Sequence, residues 1–191
     1  MKRKEIAQLI GILVAVGLII LAVYFSLHQK EDESLFESSG ESSLVEQVLR
    51  KDLERNYPAT VKAVVEMYSQ ITECMYNEPY SEEEFDLLAK QMRNLYDEEL
   101  LAVNPEEAHL RNLKQEYTYY REQKYSLTWK VQKLSSVKEE EVDGTTLATI
   151  VARYTINMRD INYYEFCLRE DADGNWKIIG WKQVAEVDMG D

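Results

Sequence analysis

Leu168-Arg169-Glu170-Asp171-Ala172-Asp173-Gly174-Asn175-Trp176-Lys177-Ile178-Ile179-Gly180-Trp181 reads as two strands around a tight turn. Asp171 to Asn175 holds the turn residues, with Gly174 supplying the freedom a short hairpin loop needs. Trp176 and Ile178 alternate with Lys177, the period-two pattern of a strand with one buried face. The last strand is expected over Trp176–Val184. Before it, Tyr164, Phe166 and Leu168 alternate in the same way.

Working back, Arg159-Asp160-Ile161-Asn162 reads as a turn, preceded by Ala148, Ile150, Ala152, Tyr154 and Ile156 on one strand face. Lys138 to Gly144 reads as a charged turn, and Leu127, Trp129 and Val131 as the inward side of the first strand. Four consecutive strands with short connections predict an antiparallel meander.

Upstream of Leu127 the period is 3.6. Leu44–Arg55 reads as a connecting helix, stopped by Asn56-Tyr57-Pro58, with Pro58 opening the next helix. That helix carries Val61, Val64, Val65, Tyr68, Ile71, Thr72 and Met75. Ser81 and Glu84 form a capping-box pattern ahead of Phe85, Leu88, Ala89, Met92, Leu95 and Tyr96. Asn104-Pro105-Glu106-Glu107 ends this helix and opens the last, which uses Leu110, Leu113, Tyr117 and Tyr120. Helices first and strands after predict an α+β domain over 56–187, three or four helices on one face of a four-stranded antiparallel sheet. Residues 188–191 read as a tail.

The N-terminal end is different in kind. Residues 6–27 carry no charged side chain over 22 positions. A helical run of about 20 apolar residues spans the roughly 30 Å hydrocarbon core of a bilayer. Lys2, Arg3 and Lys4 in the 1–5 segment precede it, and Glu31, Asp32 and Glu33 follow. The positive-inside rule therefore predicts a cytoplasmic N-terminus and an extracytoplasmic domain. The run is too long for a signal-peptide core, and Tyr24-Phe25-Ser26-Leu27 makes a poor cleavage site, so an uncleaved membrane anchor is expected. Residues 28–43 hold five acids and five serines and read as a flexible linker.

The final hairpin and the helices-then-sheet order resemble the nuclear transport factor 2-like superfamily, also called SnoaL-like. Its last hairpin often reads Asp-Gly-x-Trp-Lys-Ile-x-x-Trp, matched here by Asp173-Gly174-Asn175-Trp176-Lys177-Ile178-Ile179-Gly180-Trp181. The resemblance covers residues 56–185 in architecture and implies a cone-like fold with a strongly curved sheet. One departure is the lack of a clear short strand between the helices. Displayed on a single membrane anchor, the chain is similar to uncharacterised bacterial envelope proteins.

Charge narrows the function. Lys and Arg number 22 against 35 Asp and Glu, a formal net of −13, with no basic stripe for nucleic acid. Two His and two Cys give no metal-site spacing, and no cofactor motif is present. Ten acids between 78 and 107, Asp97 among them, read as a solvated surface. His109 lacks a visible partner, and no catalytic residue is assigned. Two cysteines outside the membrane are compatible with a bridge or with two free thiols. Tyr68, Tyr117, Tyr120, Tyr154 and Tyr164 fall on inward faces and are the weak candidates for a ligand pocket in the cone.

On strict alternation Lys130, Arg153, Lys177, Ile179 and Trp181 fall on the outer sheet face, where aromatic and cationic side chains suit a protein interface. A bulge at Gly180 is the alternative, and it turns Trp181 back inward. The reading expected from sequence is a non-enzymatic, membrane-anchored domain acting by protein contact in the envelope. Its partner would be a second copy or an envelope protein on the sheet face. The alternative is small-ligand binding, or a cryptic enzymatic activity, in an aromatic-lined pocket.

Overall fold

Apolar spacing and caps set the helices of the domain, and the computed structural model describes residues 42–190. The segments 1–5 and 6–27, and nearly all of 28–43, lie outside the described residues. Among the described residues no helix is long and apolar enough to cross a membrane. The described part is α+β, five helices followed by five strands.

Helix α1 (Leu44–Leu49) is capped by Ser43, whose Oγ accepts the Glu46 N–H at 3.1 Å. It stops six residues earlier than its apolar stripe suggested. Asp52 Oδ1 accepts the N–H groups of Glu54 and Arg55 at 3.0 and 3.2 Å, a local turn that competes with helix continuation. Leu53 is still buried, but from that turn. Helix α2 (Val61–Asn77) starts three residues after Pro58 because Thr60 is its cap, Oγ1 accepting the Ala63 N–H.

The capping box expected at Ser81 and Glu84 is present and opens α3 (Glu82–Asn94). Its buried residues are Phe85, Leu88, Ala89 and Met92. The chain then leaves the helix instead of running on to Asn104. Ile178 N–H donates to Leu95 O at 2.8 Å and Asp97 N–H donates to Ile178 O at 2.9 Å, a one-residue bridge of Tyr96 to the sheet. The sequence did not reveal this bridge. Helix α4 (Glu98–Val103) restarts on an Asp97 cap, and α5 (Glu106–Glu122) follows with Pro105 at its cap position.

The sheet has five strands where four were expected: β1 (Leu127–Val131), β2 (Lys138–Val142), β3 (Thr145–Ile156), β4 (Asp160–Glu170) and β5 (Trp176–Val184). All pairs are antiparallel, and β3, β4 and β5 are sequential neighbours. The extra strand is β2, which the sequence presented as a charged turn. β1 pairs only with Ala152–Ile156 of β3, leaving its first half with unpaired backbone groups. β2 satisfies them at Thr145–Thr149 through an Asp143-Gly144 hairpin in which both residues have positive φ. The next turn lies at Asn157-Met158, also with positive φ, rather than at 159–162.

The helices cover one face of this sheet. Ile71 and Met75 of α2, Leu88 and Met92 of α3, and Leu95 meet Ile150, Phe166, Leu168 and Ile178 in one core. The outer face is covered in part by the chain's own end. Met189 is buried on Val151 and Tyr163, with Val184 and Val187 beside it. Lys130 Nζ donates to Gly190 O at 2.9 Å, and Gln132 Nε2 to Asp188 O at 2.7 Å. Residues 188–190 are thus packed and not a free tail.

Candidate functional site

Between the helices and the sheet lies an open cavity of about 570 Å³. Its walls follow from two periodicities. Tyr68, Thr72 and Tyr76 succeed one another at four-residue spacing on α2. His109, Asn112, Leu113, Glu116 and Tyr117 form the matching face of α5. From the sheet come Tyr154, Ile156, Asn162, Tyr164, Phe166 and Trp181, and from the link between α3 and α5 come Tyr96, Leu100 and Asn104.

Trp181 reaches this face through a bulge. β4 and β5 pair Leu168 with Ile178 but Cys167 with Gly180, so Ile179 is an extra residue on β5. Were Ile179 paired as an ordinary strand residue, Trp181 would fall on the face away from Ile178; because Ile179 is bulged, the indole returns to the helix side. Its ring centre lies 5.3 Å from Tyr68, 5.7 Å from Phe166 and 6.1 Å from Tyr96. The indole remains 41% exposed, which places it at the mouth. The outer-face position expected from strict alternation is therefore corrected, and the bulge alternative is the one found.

Four of the five tyrosines singled out in the sequence line the cavity: Tyr68, Tyr117, Tyr154 and Tyr164. Tyr120 is the exception, stacked on Tyr76 with ring centres 4.6 Å apart. Burial pushes the phenols of Tyr68, Tyr117 and Tyr154 above the usual range, so all stay protonated. Ser69 Oγ gives its one proton to Val65 O at 2.7 Å and lies 2.6 Å from the Tyr154 hydroxyl, which therefore donates to it.

Two titratable groups reach the cavity that were not among the pocket candidates read from the sequence. His109 has a partner after all: Arg93 Nη1 is 3.3 Å from its Nδ1 and also donates to Asn104 O at 2.9 Å. Burial, and then the guanidinium charge, hold the imidazole below its ordinary 6.5. A guanidinium only donates, so Nδ1 accepts and the neutral ring carries its proton on Nε2. Glu116 sits two turns further along α5, where loss of solvent raises its carboxyl and the Tyr120 hydroxyl opposes that rise. Arg93 and His109 are 16 positions apart, and only the break after Asn94 brings them together, so the sequence offered no signal beyond helical spacing within α5.

The remaining sequence-picked residues do not form one patch. Lys130 pairs in register with Arg153 on the outer side, beneath the chain end. Lys177 donates to Asn94 O at 2.9 Å and lies 4.0 Å over the Tyr57 ring. Ile179 is the half-buried bulge residue. Arg169 is engaged by Asp97, which is buried rather than solvated: its two carboxylate oxygens accept from Nε at 2.8 Å and Nη2 at 2.7 Å.

Cys74 and Cys167 are both free, and burial pushes the Cys74 thiol up to about 12. Among the described residues no group of three His, Cys, Asp or Glu side chains is placed to hold a metal ion.

Residues 1–181 match a family model described as a domain of unknown function, DUF6715. No curated protein and no solved structure matches the chain.

Proposed function

The chain belongs to the DUF6715 family, whose description assigns no activity, and we propose from its geometry that it is a small-ligand-binding domain displayed outside the membrane. The observation that carries this reading is the open cavity of about 570 Å³, walled by aromatic rings and edged by a few polar groups. Binding pockets for small molecules have this size and this mixture of surfaces. Residues 6–27 are its membrane peg, supported by 22 successive positions without charge. Lys2, Arg3 and Lys4 keep the short end inside. The cone-like, nuclear transport factor 2-like reading draws support from the order of elements and from the Tyr96 bridge between the helices.

Binding fits better than turnover. His109 and Glu116 are seven residues apart on one helix, about 10 Å along the axis. They approach a ligand from separate places and do not form an acid–base pair on one atom. Protein contact through the outer sheet face takes second place, because residues 187–190 of the chain itself lie there.

The test uses the full chain in detergent and ligand-observed NMR with a set of anionic, neutral and cationic fragments. Asn112 is exposed on the cavity rim, so Asn112→Trp blocks the mouth without touching the core. The expected result is a subset of fragments that bind the native chain and not the variant. Absence of any binding, or binding that survives N112W, overturns the reading. For the anchor, protease added to sealed cells should digest the domain; complete protection would reverse the orientation.

A further inference from the structure

We propose that the cavity selects compact organic cations, an ammonium or quaternary ammonium head on a small apolar body; the proposal rests on the cavity being a binding site. Tyr68, Tyr96, Phe166 and Trp181 form one ring cluster, with successive centres 5.3 to 6.3 Å apart and planes tilted by 33 to 63°. Part of the indole remains open to a ligand at the mouth. The electron-rich faces of Trp and Tyr attract a cation and offer nothing comparable to an anion.

Charge points the same way. Among the described residues no Lys or Arg lines the cavity, and Glu116 is its one carboxylate. Among the described residues no cation pairs with that carboxylate, and its environment already disfavours the charged form. A bound cation would supply the missing counter-charge. Arg93 stays behind His109, tied to Asn104 O, and burial, helped by the guanidinium charge, keeps the imidazole neutral, so no positive group competes for the space. The other polar lining groups include the amides of Asn104, Asn112 and Asn162, which accept as readily as they donate. Residues 42–190 hold 28 acids against 18 bases, a field that draws cations toward the mouth. An anionic ligand would meet Glu116 with no compensating charge, and a neutral one would leave it unpaired.

Three isosteric probes separate the possibilities on the full chain: choline, its carbon isostere 3,3-dimethylbutan-1-ol, and 3,3-dimethylbutanoate. Saturation-transfer NMR reads the methyl groups of each. Choline should bind about tenfold more tightly than the alcohol, as expected for a cation over partly dehydrated rings. The butanoate should be weakest. Glu116→Gln should bring choline to the level of the alcohol. Equal or tighter binding of the alcohol or butanoate overturns the cation proposal while leaving the cavity a binding site. An E116Q variant that binds choline as well as the native chain overturns it too. If none of the three binds, the cation proposal falls, and the cavity reading falls with it only when the fragment set also fails.

Discussion

Asp97 does two things with one carboxylate: it caps α4 by accepting the Glu99 N–H at 2.9 Å, and it holds Arg169 of β4 in a two-point contact. Its side chain is 6% exposed, so removing the guanidinium strands a buried charge. Arg169→Leu should cost about 3 kcal/mol in urea unfolding. Asp97→Asn keeps the cap and should cost less, about 1–2 kcal/mol. Neither role was legible, since the partners are 72 positions apart and Asp97 begins an acidic run that looks like a surface. His109 yields a second prediction. Its imidazole titrates below 6.5 in the fold, so the unfolded chain takes up the proton first. Its contribution to stability is full above 6.5 and is lost as pH falls through the depressed value. NMR titration should place its midpoint below 6.5, and Arg93→Met should move it upward; a midpoint at or above 6.5 in the native chain refutes this. His109→Gln should flatten the corresponding part of the stability profile.

At the scale of elements, a one-residue bulge keeps Trp181 on the cavity side of β5. Deleting Ile179 removes the bulge and leaves Gly180 opposite Cys167 and Trp181 opposite Phe166 in regular alternation, so Trp181 should stay inward with its indole emission unchanged. Trp181→Ala, which removes the ring itself, should cost about 2 kcal/mol, less than a fully buried aromatic truncation because the indole is partly exposed. Gly180→Ala is the control: a Cβ there meets nothing within 4 Å. It should change stability by less than about 0.5 kcal/mol. A red-shifted emission in the deletion variant would show that the strand pairs in another register and turns the indole outward. Element types were legible where period and cap agreed, as in α2, α3, β3 and β5. They were lost where local chemistry worked against the pattern. Asp52 cut α1 short, the Tyr96 bridge split the helix expected to reach Asn104, and the charges of β2 hid a hairpin that Asp143-Gly144 announces. The bulge was visible only as an alternative, because Gly180 permits one without requiring it. Four cavity tyrosines were readable, Tyr68 and Tyr117 from helical spacing and Tyr154 and Tyr164 from alternation; His109 and Glu116 needed the packing of α5 over the sheet.

For the whole molecule, the chain end is part of the fold. Met189 is 7% exposed on Val151 and Tyr163. Truncation after Val184 should uncover that surface and cost about 2 kcal/mol, read as a lower urea midpoint with unchanged helix content. Met189→Asp in the full chain should reproduce most of the loss; an unchanged midpoint in both would mean the end contributes nothing. The two borders of the sheet have a further consequence. At β5, the Leu95–Asp97 segment already occupies the backbone groups around Ile178. At β2, Lys138, Glu139, Glu140 and Glu141 are all exposed along the open border. A strand from another molecule pairing there in antiparallel register would set glutamate against glutamate. The charges along its open border thus guard the domain against fibril-type stacking.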